Sequence, residues 1–325
     1  NIVRHWQKIT KQRNHDSGHI LEMKYFQYLS LLFTEIYLDS YFNHRNELQT
    51  ALNAEFAKYQ NELSTTAAVS ASHTLDDLRR LAFWNATGSG KTLLMHVNLL
   101  QYLDYFKGTP DNIILITPNN GLSRQHWQDF QVSGIDAVIF DRNMGNLLDG
   151  QVKIIEVTKL GDKDSDKIVA VSAFAGNNLV LVDEGHRGTS DGSMDSAWLK
   201  RRNQIIDQGF SFEYSATFGQ AVGKFGGKKQ NEVFDTYARA VLFDYSYKFF
   251  YEDDYGKEHL ILNLPKEAEY ATEKYFVACI LMFYQQLYLY ETNKDRLSEW
   301  NIEKPLWIFM GQTVNKSSGN NETQA

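Results

Sequence analysis

Hydrophobic positions along the chain change character twice. From Met23 to Phe42, the apolar residues Tyr25, Phe26, Tyr28, Leu29, Leu32, Phe33, Ile36 and Tyr37 recur at helical spacing with no Gly or Pro between them, which predicts a long buried helix. Leu48, Leu52, Phe56, Tyr59 and Leu63 predict a second, amphipathic helix, and the small residues from Ser64 to Ser72 predict a flexible connection. Short β-rich runs then alternate with helical segments. Leu81–Trp84, Ile113–Ile116, Ala137–Phe140, Val152–Ile155, Leu179–Val182 and Ser211–Tyr214 are the predicted strands, and their alternation with helices predicts an α/β fold, a parallel sheet covered on both faces. Beyond about residue 230 the pattern changes again. Ala240–Tyr251 and His259–Leu264 flank Glu252–Gly256 and predict two strands joined by a turn. A long aromatic-rich helix is predicted over Glu267–Tyr290, and Leu306–Met310 predicts the first strand of another α/β unit.

Composition narrows the class without naming a function. Apolar residues make up 43% of the 325, enough for a core, and intrinsic disorder of the whole chain is excluded. The longest apolar run, Phe276–Tyr284, is about half the ~18 residues a membrane span needs, so no membrane association is expected. Cys279 is the only cysteine, which rules out an internal disulfide or a thiolate-rich metal site and suits a reducing, cytoplasmic compartment. The first residues, Asn1 to Lys8, have no apolar signal core, so secretion is not expected. With 33 basic and 40 acidic residues the chain is not a basic nucleic-acid coat. Any nucleic-acid contact must be local.

The candidate chemistry sits at the ends of the predicted strands. Ala86-Thr87-Gly88-Ser89-Gly90-Lys91-Thr92 lies between the strand Leu81–Trp84 and an apolar helical run beginning at Leu93. A phosphate chain needs close backbone N–H groups, a helix N-terminus, a cation and a hydroxyl for the metal. Gly88 and Gly90 permit close approach, Lys91 supplies the cation and Thr92 an Mg²⁺ ligand, while Thr87 and Ser89 complete the loop. The strict motif would have Gly at position 85, where this chain has Asn85. Turnover further needs an acid to hold the metal and a base to orient water. Leu179–Val182 leads into Asp183-Glu184-Gly185-His186, where Asp183 would hold Mg²⁺ and Glu184 would polarise the attacking water. Ser215-Ala216-Thr217 ends the next predicted strand.

These three segments, in this order, resemble the first core domain of superfamily 2 helicases and translocases. The Asp183–His186 box places the resemblance among the DExH proteins, and Asp183–Gly188 with Phe212–Phe218 resembles the helicase subunits of type III restriction enzymes and related prokaryotic phage-defence proteins. The resemblance implies a RecA-like sheet with helices on both faces, preceded by a helical N-terminal region, and ATP with Mg²⁺ as cofactors. It further implies that Ser215 and Thr217 relay nucleotide state to the nucleic-acid groove and that His186 couples the metal site to them. Thr117-Pro118-Asn119, followed by Arg124, and Thr158-Lys159 occupy the positions where the family contacts one strand's phosphates. Physically these are strand-end loops with donors suited to sequence-independent backbone contact, or else ordinary polar turns. Met23-Lys24-Tyr25-Phe26-Gln27 resembles the family's adenine-reading signature, with Gln27 as the base-reading residue; the plainer reading is a helix-surface glutamine.

The domain organisation expected from these readings is a helical region over 1–80, a core domain over 81–230, a hairpin and connecting helix over 231–303, and the opening of a second core domain over 304–325. The resemblance places the transition-state arginine in that second domain, so residues 1–325 alone are expected to bind Mg-ATP weakly and turn it over little. The leading functional reading is an ATP-driven motor on duplex DNA in a restriction or phage-defence system, working with partner subunits. An RNA helicase of the same superfamily and a nucleotide-gated scaffold without movement are the alternatives.

Overall fold

The computed structural model describes residues 1–62, 72–141, 150–161, 168–185, 193–206, 208–218, 237–256, 271–299 and 302–308. The chain divides into two compact units, Asn1–Lys257 and Glu258–Ala325. In the first, helices α1 (Ile2–Ser17), α2 (Tyr25–Asn43) and α3 (Arg45–Glu62) precede β1 (Arg80–Asn85), α4 (Lys91–Tyr105), β2 (Ile113–Thr117) and α5 (Asn120–Val132). Next come β3 (Ala137–Ile139), β4 (Val152–Glu156), a two-residue pair β5 (Leu160–Gly161) and β6 (Val169–Ala170), then β7 (Leu179–Asp183), α6 (Ser193–Ile206), β8 (Phe210–Ser215), β9 (Val241–Tyr245) and α7 (Tyr247–Glu252). The second unit holds α8 (Ala271–Thr292) and α9 (Lys294–Ser298).

Seven strands form one sheet in the order β3-β4-β2-β7-β8-β1-β9, and every pairing is parallel. A parallel sheet has to be covered on both faces, which is why its central strands read as unbroken apolar runs. Ile113–Thr117 is buried at every position. Alternate residues serve opposite faces. Ile113, Leu115, Leu179, Leu181, Phe210, Phe212 and Tyr214 pack with residues of α1, α2, α4 and α5. Ile114, Ile116, Val180 and Val182 pack instead with Phe174, Ile205 and Ile206, the last two from α6. This is the RecA-like α/β arrangement.

Each of the six strands predicted between residues 81 and 214 is present, with ends within a residue or so of the apolar runs. The helix predicted over Met23–Phe42 is α2 and the amphipathic one is α3. The sequence reading missed α1, whose buried Ile2, Trp6 and Ile9 nonetheless recur at helical spacing. α1 and α2 share a core with the sheet: Leu31, Leu38 and Trp6 pack in the same cluster as Leu94 and Phe212.

Two expectations are corrected. The strand expected over Ala240–Tyr251 ends at Tyr245, and Tyr247–Glu252 is a helix. Aromatic residues favour strands only where a neighbour completes the pleat. Here β9 pairs with β1 only as far as Asn85, where β1 itself gives way to a loop. The strand expected over Leu306–Met310 is absent from its described part, Leu306–Ile308. Phe309 and Met310, the predicted strand His259–Leu264 and most of the Ser64–Ser72 connection lie outside the described residues. In the second unit Tyr284 and Tyr288 of α8 are exposed.

Candidate functional site

Because β8 lies between β7 and β1, the carboxyl ends of these three strands are brought side by side. The register levels them, with Phe83, Tyr214 and Asp183 on one rung and Trp84 beside Ser215 on the next. In open α/β sheets the crevice at such ends is where ligands bind.

At the end of β1 the chain turns into α4 through Ala86–Gly90. Gly88 and Gly90 have φ of 87° and 88°, a left-handed conformation that only glycine adopts readily. A β-carbon at position 90 would also lie 2.6 Å from Gln27 Nε2. Thr87 and Gly88 are exposed, Ser89 is buried, and among the described residues no side chain caps the α4 N-terminus. The free N–H groups and positive end of the helix macrodipole therefore face the loop. Lys91 Nζ donates to the Asn85 and Ala86 carbonyls at 3.3 and 3.4 Å. Burial pushes its pKa down, while the charges of Glu184 and Asp183 push it up, so the two carboxylates are its electrostatic neighbours. Thr92 is half-buried beside it.

Two buried polar groups of this loop lack a hydrogen-bond partner among the described residues: the Asn85 carboxamide and the Ser89 hydroxyl. Orphaned polar groups are rare because each costs about 1–3 kcal/mol. In a cradle with two left-handed glycines and a lysine, they fit a phosphate chain that completes their bonding. Thr92 and Asp183 are the residues able to hold its Mg²⁺.

Gln27 reaches the loop from α2. Its carboxamide oxygen accepts from the Lys24 N–H at 2.9 Å, tying the first turn of the helix, and its Nε2 donates to the Ser89 carbonyl at 2.9 Å. The side chain is therefore buried against the glycine loop, and each end of the amide keeps one further hydrogen-bonding position.

The end of β7 carries the acidic pair. Asp183 Oδ2 lies 2.9 Å from His126 Nε2, and Asp183 Oδ1 accepts from the Glu184 N–H at 3.0 Å. Burial opposes the Asp183 charge, but His126, Lys91 and the Glu184 N–H outweigh it and hold the carboxyl below its usual range. Glu184 has φ of 56°, one of two non-glycine residues with positive φ among the described residues. His186 lies outside the described residues. At the end of β8, Ser215 is fully buried and its hydroxyl accepts from the Thr217 N–H at 2.9 Å, forming a tight turn with Thr217 half-exposed.

The two loops expected to touch nucleic acid are neighbours, since β2 pairs with β4 and Thr117 stands opposite Glu156. Pro118 and Lys159 are half-buried, and Asn119, Arg124 and Thr158 are exposed. Asn119 caps α5 by accepting from the Leu122 N–H at 2.9 Å, and Thr158 donates to Glu156 at 2.6 Å. Thr117 is fully buried and its hydroxyl is shared with Ser123 at 2.6 Å, so it anchors α5 instead of presenting a donor to solvent.

Sequence reasoning missed His126. Ser123, His126 and Phe130 are the buried positions of α5, and a histidine on the buried stripe of a helix after β2 was the available signal. It also missed Arg202, Glu213 and Tyr237, whose buried contacts to Gly185 could not be read from residues so far apart.

The sequence profile of the type III restriction enzyme res subunit family matches residues 53–220. The chain belongs to that family. It thus carries a P-loop ATPase domain of the helicase type, and α1 and α2, including Gln27, lie before the matched region. Among solved structures, the Sulfolobus solfataricus SWI2/SNF2 ATPase core in complex with dsDNA is similar over 58% of this chain and 33% of that one, at 10% identity and a TM-score of 0.35. The UvsW helicase from Bacteriophage T4 is similar over 59% of this chain and 67% of that one, at 15% identity and a TM-score of 0.34. The chain thus spans about a third of the length of the Sulfolobus ATPase core. No curated protein matches it.

Proposed function

We propose that this chain is the first motor domain of an ATP-driven translocase that acts on duplex DNA within a restriction or phage-defence system, together with partner subunits. The observation that carries the reading is the convergence of the glycine loop with Lys91, the acidic pair Asp183-Glu184 and the Ser215–Thr217 turn at three adjacent strand ends. Membership of the restriction-enzyme family supports DNA as the substrate.

ATP would supply the phosphoanhydride bond whose cleavage drives movement, and Mg²⁺ would offset the charge of its phosphates. The residues' contributions follow from their places. The backbone of Thr87–Gly90 and the N-terminus of α4 bind the phosphates, and Lys91 neutralises their charge. Thr92 and Asp183 hold the metal, with His126 fixing the orientation of the Asp183 carboxylate. Glu184 orients and deprotonates water. The Ser215–Thr217 turn and His186 pass nucleotide state towards Asn119, Arg124, Thr158 and Lys159, which bear on the backbone of one DNA strand.

ATPase measurements on the full-length protein test this reading. Duplex DNA is expected to stimulate turnover more than single-stranded DNA or RNA of equal length. Stronger stimulation by RNA would identify an RNA helicase, and hydrolysis indifferent to any nucleic acid would identify a nucleotide-gated scaffold.

Gln27 is assigned to the base. Gln27→Ala is expected to weaken ATP binding by about 1–2 kcal/mol and to reduce the preference for ATP over other triphosphates. Equal weakening for every triphosphate, measured by nucleotide titration, would reduce its role to holding Ser89.

A further inference from the structure

On the sheet face covered by α6, the rung formed by Val182, Glu213 and Ala82 interrupts its apolar pattern with a carboxylate. Glu213 has no exposed surface. Its Oε1 lies 3.0 Å from Arg80 Nε and its Oε2 3.1 Å from Arg202 Nη1, and Arg202 is itself 1% exposed. Burial works against the Arg202 cation, yet Glu213 and Tyr237 hold its pKa above the ordinary value. An apolar residue at 213 would continue the rung without the desolvation cost that each buried ion carries. Packing therefore does not account for the charge.

The network converges on one backbone group. Arg202 Nη1 donates to the Gly185 carbonyl at 3.0 Å. The Tyr237 hydroxyl accepts from Arg202 at 2.9 Å, and its single proton lies between the Gly185 carbonyl at 2.6 Å and Glu213 Oε2 at 2.9 Å. On its other side, Gly185 donates its N–H to the Tyr214 carbonyl at 2.8 Å. The fit is close, because a β-carbon at 185 would lie 3.2 Å from Glu213 Cβ and 3.4 Å from a ring carbon of Phe218. Gly185 directly follows Glu184, whose φ of 56° is strained for a residue with a side chain and persists only where its surroundings over-determine it.

We propose that Glu213, Arg202 and Tyr237 are positioning residues for hydrolysis: they clamp Gly185 and so hold Glu184 in its left-handed backbone conformation, fixing its carboxylate relative to Asp183 and the phosphate loop. This rests on the assignment of Glu184 as the base. The clamp draws on α6, on β8 two residues before Ser215, and on the helical residues 237–240.

The test uses the full-length protein with saturating duplex DNA, and compares Tyr237→Phe, which removes one oxygen, with Glu213→Gln, which keeps the side-chain shape. Both are expected to lower kcat about 10- to 100-fold, as misplacement of a catalytic group does, while the Kd for a non-hydrolysable ATP analogue changes less than about twofold. In a Glu184→Gln background, Tyr237→Phe is expected to lower the rate no further, since groups that act as a unit are not additive. Full turnover in both clamp variants, with Glu184→Gln inactive, would overturn the clamp alone. Loss of kcat matched by an equal loss of analogue binding would overturn it too, marking a purely structural network. Normal turnover by Glu184→Gln would instead remove the base assignment, and the clamp with it.

Discussion

Lys91→Ala is expected to weaken ATP binding by about 3 kcal/mol or more, roughly a hundredfold, because the triphosphate loses the loop's only cationic side chain and its charge-assisted hydrogen bonds. Glu184→Gln is expected to behave differently. It keeps shape and leaves the phosphate cradle intact, so affinity should hold within about twofold while kcat falls about 10²- to 10⁴-fold, the usual worth of a positioned general base. The structure separates the two roles. Lys91 already donates to the Asn85 and Ala86 carbonyls within the loop, whereas Glu184 stands at the end of β7, across β8 from it. Equilibrium binding of a fluorescent nucleotide and steady-state hydrolysis, measured on both variants, check the prediction. Equal losses of affinity would remove the division between binding and chemistry.

What the sequence made legible follows from how local each signal is. Strands buried on both faces announce themselves as unbroken apolar runs, so β2 and β7 were readable from Ile113–Ile116 and Leu179–Val182 alone. The left-handed glycine loop between β1 and α4 was readable as a candidate phosphate cradle because its glycines, lysine and threonine are contiguous. α1 was legible in principle, through Ile2, Trp6 and Ile9, but its stripe is short and diluted by basic residues. The boundary between β9 and α7 was not legible. Both segments are aromatic and β-prone, and the chain leaves the strand where the partner strand β1 ends, a fact that lies some 160 residues away in the sequence. The contact of Gln27 with Ser89 was hidden for the same reason. The helix it starts was predictable, but its docking against the loop depends on α2 packing on α4.

The buried ions illustrate the limit most sharply, because Arg202 and Glu213 each look like ordinary surface charges until the fold encloses them. Their energetics give the second large effect. Arg202→Met should destabilise the domain by about 3–5 kcal/mol, since it leaves the Glu213 carboxylate buried with Arg80 as its remaining ionic partner. A loss of that size corresponds to a drop of roughly 10 °C in the unfolding midpoint of a domain this large. Pairing it with Glu213→Leu should recover most of the loss, because two apolar side chains remove the desolvation requirement altogether and Arg80, with 16% of its side chain exposed, can turn to water. A double-mutant cycle by thermal or denaturant unfolding would then show a coupling of several kcal/mol. If the double variant were as unstable as the sum of its parts, the two side chains would be contributing through volume and not through charge. If it regained stability yet still turned ATP over slowly, the reason for keeping ions in this rung would be geometric: they hold the Gly185 carbonyl, which leucine and methionine cannot do.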